Sequence, residues 1–195
     1  MNKENYLQSI NKYPSAWTGH SNLAIHLVNT LNPSIIVDLG VDYGFSTFCF
    51  AYPQIGKIYG VDWFQGDIHA GHRNTYPIVM EQYDELKSIY GISNIEFIKS
   101  DFNDLAKSWN VKIDLLHIDG LHTYEAVKLD FETWSKFTTE DAVILFHDVE
   151  SFPDTVGKFF NELDGYKLIN TGSAGLGIYT KNSNIFENIK SFVCA

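Results

Sequence analysis

Two cysteines, two methionines and five prolines are all that this 195-residue chain holds of those types. Cys49 lies in an apolar run, where a buried thiol is expected, and Cys194 stands beside the last residue. Two scattered cysteines make no disulfide framework, and a bond between them is left open. Positive charge is also scarce: 14 Lys and Arg against 24 Asp and Glu give a formal net charge of −10. That deficit argues against nucleic acid and against an anionic membrane surface, both of which need clustered cations. No apolar run approaches the roughly 20 residues that span a bilayer, so no membrane insertion is expected. The first residues, Met1-Asn2-Lys3-Glu4-Asn5, lack the apolar stretch of a secretory signal. A cytoplasmic protein is the expectation. Repeats, low-complexity tracts and a dividing linker are missing as well.

What is present is the composition of an ordinary globular domain, 45% hydrophobic and 19% charged. The periodicity predicts helices over about 3–12 and 21–31, the second with Ser21 as N-cap and Asn32-Pro33 as its stop. From there short apolar runs alternate with helical stretches. Strands are expected at 34–39, 58–62, 95–98, 113–119 and 142–148. Helices are expected to about Tyr52 and over 76–90, 103–109, 124–137 and 154–163. Two further strands, 166–171 and 175–180, are separated by Gly172-Ser173-Ala174, a hairpin connection. A last helix covers 183–193. This alternation specifies an α/β fold: a doubly wound, mostly parallel seven-stranded sheet with an antiparallel last strand and helices on both faces. The expected organisation is one domain, with N-terminal helices over 1–33, the sheet core over 34–182 and a C-terminal helix over 183–195.

In such a sheet ligands bind outside the carboxyl ends of the strands. The first strand closes in Asp38-Leu39-Gly40-Val41-Asp42-Tyr43-Gly44, where glycines let backbone approach a ligand closely. Its Gly-x3-Gly spacing differs from the Gly-x-Gly-x-x-Gly that seats a pyrophosphate, so a cofactor without phosphates fits better than a dinucleotide. Taken alone, the string equally describes a tight strand–helix turn. Asp62 ends the second strand, where a carboxylate can take both hydroxyls of a ribose. Asp101 follows the third and can accept from an adenine amine, with Phe102 against the ring. Three acids ending three successive strands make adenosine the expected ligand.

The fourth and fifth strands end differently, in His117-Ile118-Asp119-Gly120-Leu121-His122 and Phe146-His147-Asp148. Asp119, His147 and Asp148 offer oxygen and imidazole ligands suited to Mg²⁺ or Mn²⁺. His122 is placed to remove a proton, since imidazole titrates near working pH. The alternatives are that His147 and Asp148 only cap a strand and that His122 is a structural hydrogen-bonder. His117, inside its strand, reads as a satisfied core histidine. Trp63, Asp67, His69 and His72 lie in the long polar connection 63–75, either a lid over the substrate or a solvated loop. Trp17, Trp109 and Trp134 read as core aromatics.

Together these strings resemble the class I S-adenosylmethionine-dependent methyltransferases, and within them methyltransferase family 24. The similarity runs from about Trp17 to Tyr179. It is carried by Val37-Asp38-Leu39-Gly40, by Val61-Asp62-Trp63 with Gly66-Asp67 and His69-Ala70-Gly71, and by the His117–Glu125 string. Asp130-Phe131-Glu132-Thr133-Trp134 and Phe146-His147-Asp148 complete it. The resemblance implies that Asp38, Gly40, Tyr43, Gly44 and Ser46 surround the methionine part of the cofactor. It also implies ribose contact at Asp62 and adenine contact at Asp101, with Trp63 and Phe102 beside them as cofactor-binding residues. Similar sugar O-methyltransferases hold magnesium at the positions of Asp119, His147 and Asp148, the middle one usually acidic, and a base at that of His122. Thr138-Thr139-Glu140-Asp141 stands where the family has a Pro-Gly-Gly turn, and the departure is expected to alter that turn.

The resulting expectation is a metal-assisted O-methyltransferase acting on a sugar hydroxyl, in a glycan or a glycosylated small molecule. Its rivals are a methyltransferase with a non-sugar acceptor and a catalytically silent cofactor-binding module of glycan assembly. A homo-oligomer built through the N-terminal helices is left open.

Overall fold

The β-branched runs pair in an order different from their order along the chain. In the computed structural model, which describes residues 1–69 and 71–194, the strands are β1 (Ile35–Leu39), β2 (Lys57–Asp62), β3 (Ile95–Lys99), β4 (Ile113–Ile118), β5 (Thr138–Phe146), β6 (Tyr166–Asn170) and β7 (Leu176–Thr180). They form one sheet in the order β3-β2-β1-β4-β5-β7-β6. Only β7 runs against its neighbours, pairing antiparallel with both β5 and β6. The chain order reverses between β1 and β4, so a crevice opens there at the carboxyl edge. This is the expected doubly wound sheet.

Helices cover both faces. Buried side chains of α1 (Lys3–Ile10), α2 (Ser21–Leu31), α3 (Phe45–Ala51), α4 (Tyr76–Tyr90) and α8 (Ser183–Val193) share a core with Ile36, Ile58, Leu115 and Val143. Those of α6 (Tyr124–Trp134) and α7 (Lys158–Glu162) pack on the opposite face with Val37, Leu39, Leu116 and Phe146, joined by residues of α5 (Phe102–Ala106). Side chains alternate along a strand. Hence Asp38, between Val37 and Leu39, faces the first layer, and so does His117, its register partner on β4.

Several boundaries depart from expectation for identifiable reasons. Ser21 is the first residue of α2 and not its cap, because a 3₁₀ turn over Thr18–His20 runs straight into the helix. Asp101 is the N-cap of α5: its Oδ1 accepts from the backbone N–H groups of Asn103 and Asp104, and the helix starts one residue earlier than expected. Thr138-Thr139-Glu140-Asp141 forms no turn; it extends β5, with Thr138 opposite Ile113 and a register shift before Leu115. The Thr139 hydroxyl donates to Asp114, giving the segment a strand partner that a Pro-Gly-Gly sequence lacks. The expected helix at 154–163 divides into a π turn, Pro153–Gly157, and α7. Ala70, part of the His69-Ala70-Gly71 string, lies outside the described residues. No helix among the described residues is long and apolar enough to cross a membrane.

Candidate active site

A cavity of about 620 Å³ lies along the carboxyl edge, in the size range of small-molecule sites. Gly40, Tyr43, Ser46, Asp62, Trp63, Asp67, Asp101, Phe102, Asp119, His122, His147 and Asp148 all line it. Asp38, Gly44, His69 and His72 do not. Gly44 is buried at the N-cap of α3 with a φ of +89°, and His72 is exposed.

Asp38 stands behind the wall and is fully enclosed. Its Oδ2 accepts from Ser46 Oγ at 2.8 Å and Thr47 Oγ1 at 2.5 Å, and its Oδ1 lies 2.6 Å from His117 Nδ1. Trp17 Nε1 lies 3.1 Å from His117 Nε2. An indole N–H can only donate, so His117 Nε2 carries no proton and Nδ1–H is the donor to Asp38. Asp38 and His117 therefore form a structural relay that pins residues 14–17 over the cavity. The Ser46 hydroxyl, though at the wall, is already given to Asp38.

Asp62 anchors two loops at once. Its Oδ2 accepts from Val41 N and Asp42 N, both at 2.9 Å, and its Oδ1 from Phe64 N at 2.6 Å. Phe64 is a buried aromatic with a φ of +62°, a strained conformation that this hydrogen bond offsets. Burial raises the Asp62 pKa, and the three N–H donors oppose it. A carboxylate has about four acceptor positions, so capacity for a hydroxyl remains. Arg73, the chain's single arginine, packs beside this loop, 3.2 Å from Asp42 and over the Tyr43 ring. Tyr13 stacks on that ring at 4.8 Å. Burial lifts the Asp42 pKa to about 6 against the pull of Arg73.

On the other side of the crevice, four groups crowd together. His122 Nε2 lies 2.8 Å from Asp148 Oδ2 and 3.7 Å from Asp119 Oδ1; His147 Nδ1 lies 3.1 Å from Asp148 Oδ2 and 3.3 Å from Asp119 Oδ2. Yet neither nitrogen is aligned for a hydrogen bond, and both are buried without a partner. Close donor atoms that point past one another are what a shared central cation requires. His147 Nε2 lies 3.0 Å from the Ser173 carbonyl, which can only accept. The Nε2 nitrogen therefore carries the proton, and a neutral ring turns the Nδ1 lone pair toward two carboxylates. That arrangement calls for an added proton or a cation.

Without a cation the protons stay. Burial disfavours the charged imidazoles, but Asp119 and Asp148 outweigh it, lifting His122 to about 9 and His147 to about 10. Despite burial, the same contacts hold Asp119 well below the usual carboxylate range and Asp148 below it. Asp119, His122 and Asp148 each offer a ligand atom within 4.8 Å of the other two. Thus His122, expected as a base, sits within the converging set. His147, expected as a ligand, is not among those three, though its orphaned nitrogen adjoins both acids. The His122 ring is stacked on Phe152 at 4.4 Å, and its Nδ1 lies 3.2 Å from Nδ1 of His69. His69, though outside the cavity wall, therefore reaches back to the site.

Residues 37–149 match the model of methyltransferase family 24, a methyltransferase domain. The chain belongs to that family. A 143-residue stretch of this family 24 domain, 70% of the chain, is 37% identical to the uncharacterized protein y4gI of Sinorhizobium fredii. The chain spans only 15% of that relative's length. The domain shares its fold with a Bacillus cereus O-methyltransferase in complex with SAH, at a TM-score of 0.68 and 14% identity over 91% of each chain. It is also similar to a putative caffeoyl-CoA O-methyltransferase from Staphylococcus aureus, at 0.67 and 16% over 93% of each. A third neighbour is the O-methyltransferase TomG of Streptomyces achromogenes in complex with SAM, at 0.65 and 14% over 92% of this chain and 91% of that one.

Sequence reasoning missed Ser173, whose carbonyl also lies 3.0 Å from His20 Nε2 and whose hydroxyl accepts from Gly19 N. It missed Arg73, Asp42 and Tyr13 as well. No local signal marks Ser173: it is a hairpin residue more than 150 positions from its N-terminal partners.

Proposed function

We propose that this chain is an S-adenosylmethionine-dependent O-methyltransferase whose acceptor is a sugar hydroxyl, in a glycan or glycosylated metabolite. The observation that carries this reading is the division of one cavity. Asp62, Asp101 and Phe102 line its nucleoside half, and Asp119, His122, His147 and Asp148 its reactive half. The neighbours named O-methyltransferases, two of them holding SAM or SAH, support the cofactor.

The residues present suit the cofactor. Asp62 retains acceptor capacity for the ribose, Trp63 stands at the rim, and Asp101 Oδ2 is free beside Phe102. Gly40 and Gly120 leave backbone where a side chain would block the crevice: a methyl group on Gly40 would lie 1.9 Å from the Asp119 carbonyl. Tyr43, Gly44 and Ser46 shape the methionine end, Ser46 and Gly44 through the loop they hold, and Asp38 supports it from behind. Bound there, the cofactor supplies an electrophilic methyl carbon on a sulfonium.

A divalent cation also suits the site, since Asp119 and Asp148 converge and the partnerless Nδ1 of His147 adjoins both. Mg²⁺ or Mn²⁺ held there, with His147 adjoining, supplies charge that lowers the pKa of a hydroxyl. Asp119 and Asp148 fix the acceptor's position, which is where much of the rate gain of such a transfer arises. With a cation held by Asp119 and Asp148, His122 Nε2 would stay free, and this ring, stacked on Phe152, would take the hydroxyl proton as the oxygen–carbon bond forms and the cofactor's methyl–sulfur bond breaks. Asp67, His69 and the exposed Trp63 and His72 belong to the loop that meets the acceptor. The reaction is assigned to the cytoplasm, with a small-molecule or glycan acceptor.

The test is a mass-spectrometric screen of glycans and phenols with cofactor and Mn²⁺ present, beside calorimetry with S-adenosylhomocysteine. A 14 Da gain per methyl on a glycan supports the reading. A gain on phenols alone replaces the sugar with an aromatic acceptor. Cofactor binding with no methyl gain on any acceptor favours the silent cofactor-binding module, and no cofactor binding overturns both readings.

A further inference from the structure

The site described so far gives no task to Asp130, on α6. Only 5% of this residue is exposed, and that surface faces the cavity. Asp38 and Asp62 are each surrounded by three hydrogen-bonding groups. No donor among the described residues reaches Asp130, and burial together with the charge of Asp101 acts on it unopposed. The chain's one arginine is engaged elsewhere, with Asp42 and Tyr43.

Its surroundings say what it faces. A methyl group added to Gly120 would lie 2.8 Å from Asp130 Oδ2 and 3.0 Å from Phe102 Cε2. The absent side chain thus leaves an aromatic ring and a carboxyl meeting along one open wall. Asp101, from the N-cap of α5, is the one charged group that acts on Asp130 among the described residues. Burial first and Asp101 second lift the Asp130 pKa to about 7. A carboxyl so placed keeps its proton up to about neutral pH, because ionising it without a partner is costly. A protonated carboxyl is a donor, whereas Asp101 accepts from two backbone N–H groups at the N-cap of α5. The wall therefore offers one donor and one acceptor beside a flat apolar face. The complementary ligand is a flat ring with an acceptor nitrogen next to an amine, as on an adenine edge.

We propose that Asp130 donates a hydrogen bond to an adenine ring nitrogen adjacent to the exocyclic amine held by Asp101, and so tunes the cofactor half for that base. This deepens the adenosine reading above and rests on it.

Calorimetry on the full chain tests it without turnover. The ligands are S-adenosylhomocysteine and its 1-deaza and 7-deaza analogues, each lacking one ring nitrogen beside the amine. The proteins are wild type, Asp130→Asn, which keeps a donor, and Asp130→Leu, which removes it. One of the two analogues binds wild type about tenfold more weakly than the parent. That penalty persists in Asp130→Asn and vanishes in Asp130→Leu. As pH rises from 7 to 9, wild type loses affinity for S-adenosylhomocysteine relative to Asp130→Asn, since only the former can lose the donated proton. Titrations of Asp42, His122 and His147 are common to both proteins and cancel in that comparison. Equal analogue penalties in wild type and Asp130→Leu overturn the proposal. If the leucine variant does not fold, parallel pH profiles for wild type and Asp130→Asn overturn it instead. Wild type that fails to bind S-adenosylhomocysteine overturns the adenosine reading itself, and with it this assignment.

Discussion

Trp17 donates its indole N–H to His117 across one hundred positions of sequence, at 3.1 Å. This bond ties the segment before α2 to the centre of the sheet, because His117 in turn donates to Asp38 on β1. Trp17→Phe keeps the ring contacts but leaves His117 Nε2 buried and unpaired. The expected cost is about 1–3 kcal/mol, seen as a fall of roughly 2–12 °C in the thermal midpoint. An unchanged midpoint would show that the bond contributes nothing net.

His122→Ala is expected to lower turnover by about 10²–10⁴-fold while leaving affinity for S-adenosylhomocysteine within a factor of about two. The geometry separates the two effects, since His122 contacts Asp148, His69 and Phe152 and none of the nucleoside-facing acids. Retained turnover removes the base role.

Mn²⁺ or Mg²⁺ should raise the thermal midpoint of metal-stripped protein by mass action, and Asp148→Asn should abolish the rise. The variant retains an oxygen ligand but loses the charge that the cation neutralises. A midpoint insensitive to both ions, measured by calorimetric scanning, would reduce the cluster to a strand-capping network.

The pH dependence of stability carries a signature of Asp130. Its pKa is raised from the usual carboxylate range to about 7, so between pH 4 and 7 the folded chain holds a proton that the unfolded chain has lost. Stability from this group therefore falls as pH rises through that window and levels off above it. Asp130→Asn has no such proton to lose. Its stability relative to wild type should grow from pH 4 to 7, reaching on the order of a few kcal/mol. Denaturant unfolding at several pH values checks this; a constant difference refutes it.

The alternation of strands and helices was legible because parallel strands buried on both faces read as short aliphatic runs, such as Ile35-Ile36-Val37 and Leu115-Leu116. The residues at the carboxyl edge were legible for a related reason, since a polar group closing an apolar run has few other uses. Side-chain direction was harder. Asp38 looks like a cofactor ligand from its place at the end of β1, yet parity turns it toward α2 and α3, where Ser46, Thr47 and His117 complete its bonds. Ser21 looked like a cap because nothing local betrays the 3₁₀ turn ahead of it. Thr138 and Thr139 looked like a turn by position, but Ile113 and Asp114 supply strand partners. The role of Ser173 depends on tertiary proximity alone, and no window of sequence contains it.

Gly40 and Asp119 meet backbone to backbone, with Asp119 N donating to Leu39 O at 2.8 Å and Gly40 N to Val61 O at 3.0 Å. Main chain thereby helps to set the distance between the two halves of the cavity, alongside the buried Asp38–His117 bond. Substitutions on the acceptor side are then free to diversify without disturbing the donor side, and their effects on binding the two ligands should add independently. On the proposed function, such a main-chain junction lets residues around His122 and Asp148 vary while those around Asp62 and Asp101 keep their place.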